Sequence, residues 1–190
     1  MNYPKGTKKV IKKEVSYGNR GMNLENELNE TNNFYLLNDV AVIHKKPTPI
    51  TIAKVEYHSR TDAVITKAFF KTPSTTDYNG IYKGKYIDFE AKETTSITSF
   101  PIKNIHPHQI EHLKKVVEHG GIAFLIIRFT KLNLTYLLSY QDLITCLAGE
   151  KKSISLAQLK KYGYLIKDKY NPRIDYIEII DKYFLKGDSI

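Results

Sequence analysis

Hydrophobic and polar positions along the chain follow two patterns, one with helical spacing and one with the two-residue period of strands. Helical spacing predicts helices over residues 21–37, 106–119, 140–147, 156–162 and 174–185, the last of them capped by the Asn171-Pro172 pair. Apolar or alternating runs predict strands over residues 40–43, 50–57, 63–70, 86–92, 122–129 and 132–138. Helices and strands interleaved in this way predict an α/β fold with a mixed central sheet and helices on its faces.

The predicted elements fit one domain, since 190 residues are enough for a single core of ordinary size but not for two catalytic domains. Residues 1–16 are basic and show no periodicity, so we expect a flexible arm followed by a single domain over residues 17–190. The strands at 50–57 and 63–70 form a predicted hairpin, about residues 50–70, with loose alternation. Because it has little apolar surface to bury, this hairpin is expected to project from the domain as a stalk.

The strand predicted at residues 86–92 has the cleanest alternation in the chain. One face carries Ile87, Phe89 and Ala91, and the other carries Asp88, Glu90 and Lys92. Two interpretations are open, because this charged face is either solvated or forms a metal site together with Asp77, which lies upstream. Asp88 is a third acid on the same face and is either a ligand or a bystander.

A metal site at these positions has a chemical rationale. Mg²⁺ is a hard cation that binds one or two carboxylates and fills its other positions with water and phosphate. Asp77 and Glu90 supply such a pair of carboxylates. Lys92 lies two residues after Glu90, about 7 Å along the same strand face, so its ammonium can reach a scissile phosphate or an attacking water. A zinc site at His108 and His112, which share a helix face, lacks a third ligand at a recognisable spacing.

Charge and composition favour a polyanionic partner. Twenty-nine Lys and Arg against 20 Asp and Glu give a net charge of +9 and a pI near 9.4, which suits nucleic-acid phosphates, although an anionic membrane surface favours the same balance. The single cysteine, Cys146, forms no intramolecular disulfide, and residues 1–13 lack the apolar stretch of a secretory signal. The longest apolar run, residues 122–127, is far shorter than the roughly 20 residues that span a bilayer. We therefore expect a soluble, cytoplasmic protein without a membrane partner.

Five longer segments of the sequence are more specific indicators of a protein family. They are NRGMNLENELNETN at 19–32, AVIHKKPTPI at 41–50, TTDYNGIYKGKYIDFEAKET at 75–94, SFPIKNIHPHQIEHL at 99–113 and NPRIDYIEII at 171–180. In this order they resemble blocks of the RecU family of Holliday-junction resolvases, over about residues 15–184. The resemblance implies a restriction-endonuclease-like fold with a PD-(D/E)xK nuclease core. The chain departs from the strict form of that motif, because Thr76 stands where the motif has a proline before Asp77.

The resemblance also implies roles for individual residues. By the pattern of the family, the Mg²⁺ ligands are Thr75, Asp77, Glu90 and Gln109. The implied catalytic residues are Asp77, Glu90 and Lys92, with Lys92 as the stabiliser of the transition state. By its position alone, Gln109 is an exposed polar residue in the first turns of an amphipathic helix, so its assignment depends on the resemblance.

Arg20, Lys45, Lys46 and Arg60 are the DNA-binding residues that the resemblance implies, with Arg60 at the tip of the predicted hairpin. The resemblance further implies a homodimer that resolves four-way junctions by two symmetric nicks during recombination and repair. RecA and a branch-migration helicase are further implied partners. Two alternatives stay open, namely a nuclease that acts on linear duplex DNA and a non-catalytic DNA-binding protein that modulates a recombinase.

Overall fold

The computed structural model describes residues 23–57, 59, 62–71, 75–149 and 151–185. The helices in these residues are α1 (Leu24–Leu37), α2 (Pro107–Glu118), α3 (Tyr140–Leu147), α4 (Leu156–Tyr162) and α5 (Tyr176–Tyr183), with a 3-10 turn at Ile102–Asn104. The strands are β1 (Val42–Lys45), β2 (Ile50–Tyr57), β3 (Ala63–Phe70), β4 (Tyr78–Tyr82), β5 (Lys85–Thr94), β6 (Ser99–Pro101), β7 (Ile122–Phe129), β8 (Leu134–Ser139), β9 (Ser153–Ser155) and β10 (Tyr164–Ile166). Within the described ranges, no helix has both the length and the apolar composition that crossing a membrane requires.

Six of the strands form one central sheet in the order β1-β4-β5-β7-β8-β10. Strands β5 and β7 are parallel, with Glu90 opposite Leu125 and Lys92 opposite Ile127, and the other neighbours are antiparallel. Helix α2 lies in the crossover between β5 and β7, and it therefore runs antiparallel to both strands. The predicted α/β class, a mixed central sheet flanked by helices, is confirmed.

Each face of the central sheet is covered by its own hydrophobic core. Helices α1 and α5 cover the face that carries Phe89, whereas α2, α3 and α4 cover the face that carries Leu125. All residues of β7 are buried, as expected for a central strand with both faces covered. In the first core, the ring of Phe89 stacks on Tyr78 at 4.7 Å and on Phe124 at 4.9 Å between centroids. These three rings join β4, β5 and β7.

Strands β2 and β3 form a separate two-stranded sheet. Their pairing runs from Ile50 opposite Phe70 to Tyr57 opposite Ala63. All side chains of the two strands are exposed except that of Val55, which is half-buried. The predicted hairpin is confirmed, and because neither of its faces is covered it stands clear of the two cores.

The structure differs from the sequence prediction at several short elements. Strands β4, β6, β9 and β10 were not predicted, because segments of three to five residues are too short to show a period. Helix α5 begins after its N-cap residue Asp175, so the predicted cap at Asn171 is wrong. The segment before α5 is held instead by a bridge between Asp168 and Ile174 and by the Ile174 N–H, which donates to Thr31 Oγ1 at 3.2 Å.

Phe89 is a sensitive probe of the first core, since it lies fully buried between two stacked rings. We expect Phe89→Ala to lower the free energy of unfolding by about 3–5 kcal/mol, because the cavity left behind adds to the lost transfer energy. Phe70→Ala is the matched control. Its side chain is 85% exposed, so we expect a change within about 0.5 kcal/mol. Urea unfolding measures both values, and equal losses would contradict this description of the core.

Candidate active site

The charged face of β5 lies inside the protein. Asp88 and Glu90 are both 0% exposed, and Lys92 is half-buried. Strand β5 is flanked by β4 and β7, and α2 packs over the face that these side chains share with Leu125. The interpretation of these carboxylates as solvated charges is therefore wrong. Each buried carboxylate must be compensated by groups of the protein or by a bound ion.

Asp77, Glu90 and Lys92 lie together in the structure. Asp77 directly precedes β4, and the antiparallel pairing of β4 with β5 brings it beside Glu90. The backbone N–H of Asp77 donates to Glu90 Oε2 at 3.1 Å, and Lys92 Nζ lies 2.7 Å from Glu90 Oε1. Asp77 and Lys92 also line a common pocket of about 190 Å³. Residues that are 15 positions apart in sequence thus share one site.

The donor atoms at this position suit a hard divalent cation. Glu90 Oε1 is buried and accepts no hydrogen bond of good geometry, although the Lys92 ammonium lies beside it as a charge partner. Within the described residues, the Asp77 carboxylate makes no ion pair, and it lies within hydrogen-bonding range of the Glu90 carboxyl. Two carboxylates with open oxygens fit the preferences of Mg²⁺. The described part of the chain contains no group of three or more His, Cys, Asp and Glu side chains that fits a metal ion, so an ion here needs further oxygen ligands.

Burial raises the pKa of the Glu90 carboxyl to about 7. The ammonium of Lys92 opposes this rise in pKa, and the negative charge of Asp77 adds to it. Because the charged form of Glu90 is disfavoured in the absence of a cation, a divalent ion at this position competes with a proton. Metal binding should therefore strengthen as the pH rises through 7.

Thr75 and Gln109, the two further predicted ligands, have different surroundings. Thr75 is half-buried, and its hydroxyl makes one long contact of 3.4 Å with the carbonyl of Thr76. Gln109 is buried rather than exposed, and its Oε1 accepts from the His106 N–H at 2.9 Å in the capping box of α2. Among the described contacts, neither residue touches Glu90. Their assignment as ligands stays a prediction.

Asp88 has a full set of partners, unlike Glu90. Its Oδ2 lies 2.8 Å from Lys46 Nζ, 2.9 Å from the Tyr86 hydroxyl and 3.1 Å from His112 Nε2, and its Oδ1 accepts from the Thr76 hydroxyl. Both oxygens of Asp88 are thus occupied, which makes it a structural anchor rather than an open ligand. Since Thr76 belongs to this network, the network also holds the segment that leads into Asp77.

The four predicted DNA-binding residues have different positions. Arg20 and Arg60 lie outside the described residues. Lys45 is exposed and pairs with Glu25. The DNA contacts predicted for these three residues are not tested by the structure.

Lys46 has a structural role in addition to its predicted contact with DNA. Its ammonium is directed at the buried Asp88, and its backbone N–H donates to the Asp77 carbonyl at 2.7 Å. Lys46 therefore supports the site through both its side chain and its backbone. The prediction that it also touches DNA stays open.

Helix α1 contributes a residue that the sequence did not reveal. Glu25, in the first turn of α1, lines the pocket that also contains Asp77 and Lys92. The start of α1 is held at this place by Glu93, whose Oε1 accepts from the Leu24 N–H at 2.8 Å. In the sequence, Glu25 is an ordinary polar position of an amphipathic helix. No feature of a single sequence distinguishes it from its neighbours.

The protein is a mixed α/β domain that carries a carboxylate pair and a lysine suited to a divalent cation. The family described as Recombination protein U (RecU) matches residues 19–182. Holliday junction resolvase RecU of Bacillus cytotoxicus is 51% identical, over 97% of this chain and 98% of its own length. The protein of the same name from Bacillus cereus strain AH820 is 50% identical over the same shares. The chain belongs to the RecU family.

A comparison of structures found a more distant similarity. The similar structure is that of Hjc of Archaeoglobus fulgidus, which is described as a Holliday junction resolvase from an archaeal hyperthermophile. Its chain is 12% identical in sequence and superposes with a TM-score of 0.41, covering 69% of this chain and 87% of its own.

The raised pKa of Glu90 predicts a pH-dependent loss of stability in the metal-free protein. The folded state holds a proton on Glu90 more tightly than the unfolded state, so this contribution is complete below pH 4.5 and is lost as the pH rises through about 7. Between pH 5 and pH 8, we expect the wild type to lose about 2–3 kcal/mol relative to Glu90→Gln, which cannot ionise.

Urea unfolding in the presence of a chelator at the two pH values measures this difference. Glu30→Gln is the control, since Glu30 is exposed on α1 and should show no such dependence. A constant difference between wild type and Glu90→Gln across the range would contradict the buried, partly compensated state of Glu90.

The surroundings of Lys46 and Lys45 predict different effects of the same substitution. We expect Lys46→Met to lower the free energy of unfolding by about 2–3 kcal/mol, because it removes a charge partner of the buried Asp88. Lys45→Met removes an exposed pair with Glu25 and should cost about 0–1 kcal/mol. Urea unfolding at pH 7 measures both losses. If the two variants were equally stable, the anchoring role of Lys46 would have to be abandoned.

Proposed function

We propose that this chain is a Mg²⁺-dependent, structure-specific endodeoxyribonuclease that resolves Holliday junctions by paired symmetric nicks during recombination and repair. The observation that carries the proposal is the buried Glu90 carboxylate in contact with both Asp77 and Lys92. Family membership supports the reaction, since relatives that are 51% and 50% identical bear the name Holliday junction resolvase. The order of the three residues also follows the PD-(D/E)xK pattern, apart from the missing proline.

The proposed roles follow from the chemistry of each side chain. Asp77 and Glu90 would hold the ion, with Thr75 and Gln109 as further oxygen donors. When bound, Mg²⁺ supplies charge stabilisation for the attacking and leaving oxygens of phosphodiester hydrolysis. Lys92, held beside Glu90 at the wall of the pocket, stabilises the negative charge that develops on the phosphate. The backbone N–H of Asp77 donates to Glu90 Oε2 and so keeps Asp77 beside Glu90.

The proposed assembly is a homodimer, because a four-way junction has approximate two-fold symmetry and must be cut twice. The β2-β3 hairpin is available to the junction, since neither of its faces packs against the domain. We assign Lys45, Lys46, Arg20 and Arg60 to DNA binding, and residues 1–16 to a basic arm. RecA and a branch-migration helicase as partners, and a cytoplasmic location, are proposals that depend on the family resemblance.

Substitution of the two carboxylates tests the proposed site. We expect Asp77→Ala and Glu90→Ala each to lower the Mg²⁺-dependent nicking of a four-way junction by at least about 100-fold, because each removes an oxygen ligand of the ion that would stabilise the developing negative charge. Junction binding measured with a chelator present should be largely intact in both variants. Glu30→Ala is the control, since Glu30 is an exposed acid on α1 outside the site. Retained cleavage in both site variants would defeat the assignment.

The same assay separates the proposed function from its alternatives. The wild type should nick the four-way junction with Mg²⁺ present, leave it intact with Mg²⁺ absent, and cut matched linear duplex more slowly. Equal cleavage of junction and duplex would favour a nuclease of linear DNA. Junction binding with no cleavage at any Mg²⁺ concentration would favour a non-catalytic DNA-binding protein.

A further inference from the structure

Two segments of the chain contain no acidic residue, and one of them, residues 151–167, is also rich in lysine. Residues 95–110 and 151–167 include Lys103, Lys151, Lys152, Lys160, Lys161 and Lys167, and also His106 and His108. The whole chain has 20 Asp and Glu in 190 residues, so the lysines of these two segments have no acidic residue within their own segment. These lysines are not among the residues predicted above to bind DNA.

The fold joins the two segments into one surface. Strands β6 and β9 pair with each other, and the Ile102 N–H donates to the Lys152 carbonyl at 3.0 Å. Lys103 therefore lies next to the segment that carries Lys151 and Lys152. All three lysines are exposed, and none of them has an acidic partner within the described residues. We call residues 99–106 and 151–155 the basic platform.

The basic platform lies on the same face and at the same end of the sheet as the candidate active site. Phe100 and Ile154 are its buried anchors, and they pack in the core that contains Ile127, the cross-strand neighbour of Lys92. The platform leads directly into the N-terminus of α2. Because α2 runs antiparallel to β5, this N-terminus is at the end of β5 where Lys92 lies. A substrate held in the site therefore passes close to the platform.

The chemistry of the basic platform fits the phosphates of double-stranded DNA. Its charged groups are lysines, which act as point charges toward phosphate and read no base sequence. The one Phe of the platform, Phe100, is fully buried, and the platform contains no Tyr or Trp. An exposed aromatic ring on which unpaired bases stack is a usual feature of single-strand binding. The surface therefore suits the outside of a duplex.

We propose that the basic platform binds the phosphate backbone of one duplex arm beside the cleavage site, through Lys103, Lys151 and Lys152. This inference depends on the proposed function, since the arm is that of the junction substrate. Lysines that neutralise phosphates release counterions, and each phosphate contact adds about 0.9 to the slope of log affinity against log salt concentration. The platform should therefore determine how steeply junction binding weakens with salt.

The test compares two triple variants that lose the same net charge. The platform variant is Lys103→Ala with Lys151→Ala and Lys152→Ala. The control variant is Lys83→Ala with Lys114→Ala and Lys115→Ala, whose lysines each pair with an acid, at 2.7, 3.8 and 3.8 Å. All six side chains are exposed, and thermal unfolding checks that both variants fold. Affinity for a four-way junction and for a linear duplex is measured over a series of salt concentrations with a chelator present.

We expect the platform variant to bind both DNAs roughly 10- to 100-fold more weakly at low salt, with a salt slope smaller by about 2–3, and the control to keep the wild-type slope. An unchanged slope in the platform variant, or an equal loss in the control, would overturn the inference. If wild-type protein cleaves the junction while the platform variant keeps its slope, only this inference fails. If the wild type neither binds nor cleaves the junction, the proposed function itself fails.

Discussion

Two carboxylates on the same face of β5 are buried, and the elements around the site are arranged to compensate their charge. Asp88 and Glu90 lie in the centre of the sheet beneath α2, where an uncompensated charge is strongly destabilising. The protein compensates them unequally. Asp88 has four partners, whereas Glu90 has the Lys92 ammonium and one backbone N–H, from Asp77. Burial raises the pKa of Glu90 to about 7, and the Lys92 ammonium opposes this rise only in part.

Because of this difference, Asp88 supports the structure around the site, whereas Glu90 is available to a bound cation. The Asp88 network connects the end of β1, the segment before β4, strand β5 and helix α2, so the elements around the site cannot move independently. On the opposite side, Glu93 holds the start of α1, and the buried pair of Arg128 with Glu27, at 2.6 Å, holds its first turn. A site built on strands and helices that are locked in this way keeps its geometry while substrate binds. Glu90 is left as the buried carboxylate with an open oxygen.

The distribution of positive charge complements this rigid site. Several exposed lysines away from the site are paired with acids, such as Lys83 with Asp181 and Lys115 with Glu111. The lysines of the basic platform are not paired within the described residues, and they lie at the end of the sheet where the site opens. A net charge of +9 attracts DNA to the whole protein. The unpaired lysines would then orient a duplex arm relative to Glu90 and Lys92, since their positive charge is available to phosphates.

The α/β class, the longer helices and strands and the hairpin are predictable from the sequence, because periods of 3.6 and 2 residues show which faces are apolar. The sequence also indicated Asp77, Glu90 and Lys92 as one candidate group, through segments that resemble the RecU family. The short strands β4, β6, β9 and β10 are not evident in the sequence, since three to five residues are too few to show a period. The different surroundings of Asp88, which is a structural anchor, and of Glu90, whose Oε1 accepts no hydrogen bond of good geometry, are seen only in the folded protein. Asp88 and Glu90 lie on the same face of β5. They differ because different side chains of other elements pack against them.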